Sequence, residues 1–388
     1  MIDRCLNPLL LLKESSHFLL GPRAVGKSTL INGGSKKSDQ GRKAFPVDYI
    51  NLLDSNIYLR LKGDPSFLGS LIGKKHVIID EIQRIPELLN EVHRLIEDEN
   101  KKFLLTGSSA RKLKKNNANL LAGRAFKSEL FPLTWFELSN NKKFKLKHYL
   151  RFGGLPLAYL KPNGGEYLYS YVDTYLKEEI SAEALARNLP NYVRFLQSAA
   201  FNNAQLLNYT RTANDAQLSP NTVKDYYQIL EDTLIGFSVS PWTHSVKRKA
   251  IQTAKFYFFD LGVVHALCET QHLEPNSDLF GRAFEQFIAC ELRAYLSYKK
   301  IRSSLKYWRS KSGFEVDFIV GNKMALEVKS SRKITQRDHK GLLAICDEKK
   351  WKRLIIVSQD PVQASFKNGI QHLHWELFLT KLWQGSFF

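Results

Sequence analysis

Four cysteines in 388 residues are few, and Cys5, Cys268, Cys290 and Cys346 lie far apart. None stands at a paired ligand spacing, which argues against a zinc site and suits reduced thiols in a cytoplasm. Long apolar runs are missing as well. No stretch reaches the roughly 18 apolar residues of a spanning helix, so no membrane segment is expected. The early run Pro8–Leu12 is followed at once by Lys13 and Glu14, which does not read as a signal peptide. Acid is the scarcer charge: Lys and Arg number 57 against 38 Asp and Glu, a net charge of +19. Twelve Lys and Arg face only Glu129 and Glu137 within residues 101–150. Such a surface points toward polyanions, nucleic acid first, and no apolar amphipathic anchor accompanies it to favour a membrane surface. With 44% apolar residues the chain can fold, and its length implies two or three domains.

The run His17-Phe-Leu-Leu20 reads as a buried strand leading into Gly21-Pro22-Arg23-Ala24-Val25-Gly26-Lys27-Ser28, which fits G-x-x-x-x-G-K-[ST]. The glycines let backbone N–H groups turn inward around phosphates, and the helix opening at Thr29 presents its positive N-terminus. Lys27 would reach the β- and γ-phosphates of ATP, and Ser28 would hold Mg²⁺. His76-Val-Ile-Ile-Asp80-Glu81 is a second apolar strand, ending in two carboxylates. Asp80 would hold Mg²⁺ through water and Glu81 would orient or deprotonate the attacking water. A third strand, Lys102-Phe-Leu-Leu-Thr106-Gly-Ser108-Ser109, sets Thr106 or Ser108 to sense the γ-phosphate. Arg124 is the arginine-finger candidate, ahead of Arg23, Arg84 and Arg111; acting on a neighbouring subunit, it would make the active form a homo-oligomer.

GPRAVGKST, IIDEIQRIPELL, LLTGSSARKL and LLAGRAFKSELFPLTWFEL together resemble the AAA-type P-loop ATPases that carry a C-terminal domain of unknown function, the AAA_14 and DUF4143 group. Leu150-Arg-Phe-Gly-Gly-Leu-Pro156, Asn191–Pro241 and the block from Phe256 continue the resemblance over nearly the whole chain. It implies an AAA-like nucleotide core followed by further domains.

After Phe131-Pro132 the pattern turns to short helices, including Glu166–Glu183, expected to form a lid that ends near Asn188-Leu-Pro190. Residues 192–240 read as a helix-turn-helix: Tyr192–Phe201, Gln205–Asn214, and Asn221–Thr233 behind a Ser219-Pro220 cap. Val223, Tyr226, Tyr227, Leu230 and Leu234 would be the third helix's apolar face. Asn221, Thr222, Lys224, Asp225 and Gln228 would face outward, toward DNA if this is a recognition helix. Lys247-Arg248-Lys249 would serve as a basic wing on phosphates.

The last segment alternates strand and helix: Lys255–Asp260, Gly281–Tyr298 (helix), Leu305–Arg309, Phe314–Val320, Lys323–Lys329, Gln336–Asp347 (helix) and Arg353–Ser358. This order resembles the restriction-endonuclease-like PD-(D/E)xK fold. A hairpin centred on Asn322 sets Asp317 opposite Glu327 and Glu315 opposite Lys329, all on one face. Glu315 with Lys329 is a simple salt bridge. Asp317 with Glu327 is a like-charge pair that a bound divalent cation would relieve. Lys329 would then position the attacking water, and Glu285, on the preceding helix, would complete the Mg²⁺ ligands, as that fold implies. The plain alternative is a hairpin whose charges simply face water.

The expected fold class is therefore α/β: an AAA-like P-loop NTPase parallel sheet, a helical lid, a helix-turn-helix unit and a restriction-endonuclease-like α/β domain. The boundaries expected are 1–135 for the ATPase core, 136–190 for the lid, 191–245 for a winged helix-turn-helix-like unit and 246–388 for the DUF4143 domain. The expected function is ATP binding and hydrolysis with Mg²⁺, and DNA binding through the C-terminal half, with metal-dependent cleavage there. The alternative is a nucleotide-dependent switch whose nuclease-like domain only binds DNA or protein.

Overall fold

Short apolar runs that are buried on both faces form parallel strands, and those of the N-terminal region do so. The computed structural model describes residues 2–33, 46–108, 121, 123–176, 188–366 and 368–388. It divides into two compact units, Met1–Leu133 with Asp232–Ile235, and Thr134–Glu231 with Gly236–Phe388. In the first unit, β1 (Ser16–Leu20), β2 (Val47–Asn51), β3 (His76–Asp80), β4 (Lys102–Gly107) and β5 (Ala125–Glu129) form a wholly parallel sheet among the described residues. Its order is β2-β3-β4-β1-β5. The strand that enters the glycine loop and the strand that ends in Asp80 are thus separated by β4, which sets all three C-terminal ends side by side. Leu20, Ile50, Val77, Ile79, Phe103 and Leu105 of the strands pack with Leu88, Val92 and Leu95 of the helix Leu88–Glu99. This is an α/β P-loop-type sheet.

Leu234 lies in that same cluster, beyond the end of the helix Pro220–Asp232 and in a left-handed conformation (φ 62°). It therefore does not extend the apolar face of that helix, as its spacing suggested. The other four expected residues, Val223, Tyr226, Tyr227 and Leu230, are buried on it.

In the second unit, residues read from the sequence as lid, helix-turn-helix and C-terminal domain pack as one body. Thr134 and Glu137 form a reciprocal cap on the helix Trp135–Asn140. Where a single helix Glu166–Glu183 was expected, Gly164–Ser170 is α-helical and Tyr171–Leu176 π-helical; residues 177–187 lie outside the described ones. The helices Leu189–Phe201, Tyr209–Ala216 and Pro220–Asp232 follow, with the two-residue strand β6 (Gln205–Leu206) between the first two. Asn188, Asn208 and Ser219 cap their N-termini with side-chain oxygens. β7 (Gly236–Pro241) and β8 (Lys255–Phe258) come next, and β8 pairs antiparallel with both β6 and β7. Helix, strand, two helices and two strands thus follow in the order expected of a winged helix-turn-helix, and the expected wing residues Lys247–Lys249 fall in the segment 242–254 between β7 and β8.

The same sheet continues through β9 (Leu305–Arg309), β10 (Glu315–Val320), β11 (Met324–Lys329), β12 (Arg353–Ser358), β13 (Ala364–Ser365) and β14 (Ile370–His374) in the order β13-β14-β12-β11-β10-β9-β7-β8-β6. The long helix Asp278–Tyr298, capped by Ser277, buries its apolar face in this unit. The expected helix Gln336–Asp347 begins as a 3₁₀ turn, Gln336–His339, and is α-helical only over Lys340–Cys346. No helix among the described residues is long and apolar enough to cross a membrane.

Candidate functional site

The glycine loop turns because Ala24 (φ 65°) and Gly26 (φ 96°) sit in the left-handed region, just before the helix Lys27–Gly33. Successive N–H groups in such a turn make an anion-binding concavity at a helix start. Arg4, unremarked in the sequence, grips the loop by donating to the carbonyls of Val25 (2.8 Å) and Phe131 (2.6 Å). Lys27 is buried and donates to the carbonyls of Gly21 (2.6 Å) and Pro22 (2.9 Å), so its ammonium lies over the loop that phosphates would enter. Arg23 and Ala24 are half-buried at the rim, Val25 is buried, and Ser28 and Thr29 are exposed at the helix start.

Asp80 gathers three hydroxyls. Ser28 Oγ donates to Oδ2 at 3.0 Å, Tyr49 to the same oxygen at 2.8 Å, and Thr106 Oγ1 to Oδ1. Burial, then the charge of Asp80, hold the Tyr49 hydroxyl well above its usual pKa. Thr106 also accepts the Glu81 N–H at 3.1 Å, which ties β4 to the end of β3. Glu81 itself is left-handed (φ 64°), a strained conformation for a non-glycine residue at the end of β3. Gln83, not singled out from the sequence, donates through Nε2 to Glu81 Oε2 and to Ser108 Oγ (3.1 Å). Ser28 and Asp80 are thus close enough to share a cation, and the donor set of one hydroxyl and one carboxylate suits a Mg²⁺ ion that keeps most of its waters. Arg124 pairs with Glu97, and Arg84 stacks on Tyr58 at 4.6 Å while donating to the Leu52 carbonyl. Arg111 and Ser109 lie outside the described residues.

The second cluster lies on the hairpin. β10 and β11 pair as Phe318–Leu326, Ile319–Ala325 and Val320–Met324, the register expected around Asn322. Gly321 (φ 53°) and Asn322 (φ 55°) make the tight turn, and Trp242 Nε1 donates to Asn322 Oδ1 at 2.7 Å. The register of β10 against β9 slips by one residue between Val316 and Ile319, a bulge that re-aims the residues before Phe318. The β10–β11 ladder ends at Phe318–Leu326, and the expected Glu315–Lys329 bridge is not formed. Glu315 pairs with Lys255 (2.6 Å) and Arg309 (3.5 Å), and Lys329 pairs with Glu327 (2.6 Å).

By sequence Lys255 is only the start of a strand. Its ammonium lies 3.0 Å from Glu285 Oε1, 2.6 Å from Glu315 Oε1 and 3.7 Å from Asp317 Oδ1, with the residue only 4% exposed. The chain delivers it there because Ala250 bridges to Ser310 and the Ile251 N–H donates to the Arg309 carbonyl at 2.8 Å, laying the end of the wing beside β9. Tyr257, two residues on, donates to Glu285 Oε1 at 2.6 Å. Asp317 Oδ2 accepts the Val328 N–H at 2.8 Å. Burial, then Glu285, push the Asp317 carboxyl up to about 7 against the pull of Lys255 and Lys329. Burial, then Asp317, raise Glu327 well above the usual carboxylate range.

The residues expected to ligate a metal here are therefore engaged otherwise: Glu285 and Asp317 face the Lys255 ammonium, and Glu327 faces that of Lys329. Among the described residues no group of three or more His, Cys, Asp or Glu side chains is arranged to hold a metal ion. This donor set does not fit a divalent cation as it stands. The wing is engaged as well. Arg248 pairs with Asp347 (2.7 Å) and Glu348 (3.5 Å), and Glu348 accepts the N–H groups of Val246 and Lys247, which leaves Lys247 and Lys249 as the exposed wing cations.

Comparison with known proteins covers most of the chain. Residues 13–139 match the AAA domain family, 143–274 a domain of unknown function (DUF8612), and 280–378 a domain of unknown function (DUF4143). The uncharacterized protein Rv2008c of Mycobacterium tuberculosis is 28% identical over 324 residues, 80% of this chain and 69% of that protein. The uncharacterized protein MJ1544 of Methanocaldococcus jannaschii is 24% identical over 276 residues, 65% of this chain and 59% of that protein. Among solved structures, the Orc1 protein of Aeropyrum pernix in complex with DNA aligns with 66% of this chain and 87% of its own, at 13% identity and a TM-score of 0.29. The chain thus carries an AAA-type domain over residues 13–139 and a DUF4143 domain over residues 280–378.

Proposed function

We propose that the chain binds and hydrolyses ATP at the Gly21–Thr29 loop and couples nucleotide occupancy to DNA held by its C-terminal half. The observation that carries the ATPase reading is the 3.0 Å contact between Ser28 Oγ and Asp80 Oδ2, beneath a loop turned inward at Ala24 and Gly26. Bound ATP with its Mg²⁺ supplies the electrophilic γ-phosphorus and neutralises charge on the phosphates. The chain's own groups do the rest. Loop N–H groups and Lys27 bind the phosphates, which requires the Lys27 ammonium to leave the carbonyls of Gly21 and Pro22. Ser28 and Asp80 are the residues that would hold the ion. Glu81 orients the attacking water and accepts its proton, with Gln83 fixing the carboxylate and linking it to Ser108.

Lys27→Ala is expected to abolish ATP binding, measured with a fluorescent nucleotide. Glu81→Gln is expected to retain binding while phosphate release falls by about 10²–10⁴. Normal hydrolysis by both variants would sink this reading.

The DNA reading rests on the net charge of +19 and on the winged helix-turn-helix order, with Asn221, Lys224, Asp225 and Gln228 exposed on the third helix and Lys247 and Lys249 on the wing. Metal-dependent cleavage at Asp317, Glu327 and Lys329 is the reading the geometry favours least, because Lys255 lies among the carboxylates. The role remaining for this unit is the switch, in which it binds and does not cut. An arginine finger at Arg124, and the homo-oligomer that a finger acting between subunits would require, rest on its sequence position alone.

A further inference from the structure

We propose that Lys255 is a tethered counter-cation that takes the place of a divalent metal in the carboxylate cluster of Glu285, Glu315 and Asp317. An ammonium has three N–H donors, and this one has three carboxylate oxygens within 3.7 Å. The cluster is tightened around it. Tyr257 donates to the same Glu285 oxygen that Lys255 contacts, and Asp317 uses its other oxygen on the Val328 N–H. Glu327, the remaining carboxylate of the hairpin, is turned to Lys329, and its Oε2 is buried with no hydrogen-bond partner. Close approach of the next helix closes that side: a Cβ on Gly341 would lie 1.8 Å from the Glu315 carbonyl oxygen and 3.5 Å from Glu327 Oε2.

A Mg²⁺ or Mn²⁺ ion draws oxygens to about 2.1 Å and keeps a shell of water. To enter here it must displace an ammonium that is covalently attached, on a residue 4% exposed, and already paired with three carboxylates. Attachment makes the local concentration of that cation far higher than any free ion in solution. Part of the cluster's negative charge is thereby offset from within the chain, and removing the ammonium restores the demand for a cation. The inference does not depend on the ATPase reading, which concerns Asp80.

The test is Mn²⁺ binding to the full chain without nucleotide, followed by the electron paramagnetic resonance signal of free Mn²⁺. All chains carry Asp80→Asn, which removes the P-loop carboxylate from the measurement. The parent is expected to bind Mn²⁺ no better than the same chain with Asp317→Asn. Lys255→Met is expected to gain at least about tenfold in Mn²⁺ affinity, and Asp317→Asn added to it should remove the gain. Parent binding that disappears with Asp317→Asn overturns the proposal, as does a folded Lys255→Met chain with no gain. If Lys255→Met fails to fold, the parent and its Asp317→Asn partner decide alone: equal binding supports the tethered cation and a loss refutes it.

Discussion

Each unit holds buried or half-buried carboxylates, and the two units partner them in different ways. Asp80 ends β3 in the first; Glu285, Glu315 and Asp317 lie on a helix and β10 in the second. In the first, Asp80 is surrounded by the hydroxyls of Ser28, Tyr49 and Thr106, dipoles that hold the carboxylate without cancelling its charge. In the second, Glu285, Glu315 and Asp317 share the ammonium of Lys255, a full positive charge that offsets part of theirs. A hydroxyl shell leaves a carboxylate able to attract a metal that arrives with its ligand. An ammonium already occupies the centre of its cluster, and a metal must displace it to enter. The lesson is that residue type and spacing do not separate a metal site from an ion-paired one. The identity of the cation at its centre does, and that cation can come from a distant part of the chain.

The largest effect that would break this comparison is on stability. Removing one partner of a buried ion pair costs about 3–5 kcal/mol, so Lys255→Met should lower the melting temperature well below that of Asp80→Asn. Added Mn²⁺ should restore part of the loss in the first variant only. Equal melting temperatures for the two variants would erase the distinction between the sites.

A third carboxylate sharpens the contrast on a smaller scale. Glu291 accepts the Trp135 N–H (2.6 Å) and the Trp383 Nε1–H (2.9 Å), and burial pushes its carboxyl up to about 8. A carboxyl raised above its unfolded value contributes stability that is complete below about 4.3 and is lost as pH rises through the folded value. Thermal melts should therefore show Glu291→Gln gaining on the parent between pH 5 and 8, by a few degrees at the upper end. A difference that stays flat over that range would show that Glu291 is ionised throughout. The smallest effect concerns DNA: Lys247→Ala and Lys249→Ala should each lower the slope of log affinity against log salt by about 1, without changing sequence preference.

Local features were legible in the sequence, and the contacts that decide the chemistry were not. The glycine loop could be read because its residues are contiguous. The hairpin register could be read because side chains alternate with period two and Asn322 marks the turn. The bulge between Val316 and Ile319 was not legible, nor was the pairing of Glu315 with Lys255 in place of Lys329. Lys255 opens an otherwise apolar strand, Phe256-Tyr-Phe258, and the only signal it offered was a charge in that setting. Its partners lie on β10 and on the helix Asp278–Tyr298, reached because the end of the wing runs beside β9. The contacts of Tyr49 and Gln83 are hidden in the sequence for a similar reason. Tyr49 meets Asp80 only through strand pairing, whereas Gln83 sits two residues beyond Glu81 and turns back on it through a 3₁₀ turn.

The most direct measurement is the number of Mn²⁺ ions bound per wild-type chain in the presence of a non-hydrolysable ATP analogue. The account predicts one ion, lost in Asp80→Asn and kept in Asp317→Asn. Two ions per chain, or a single ion that disappears with Asp317→Asn, would contradict it.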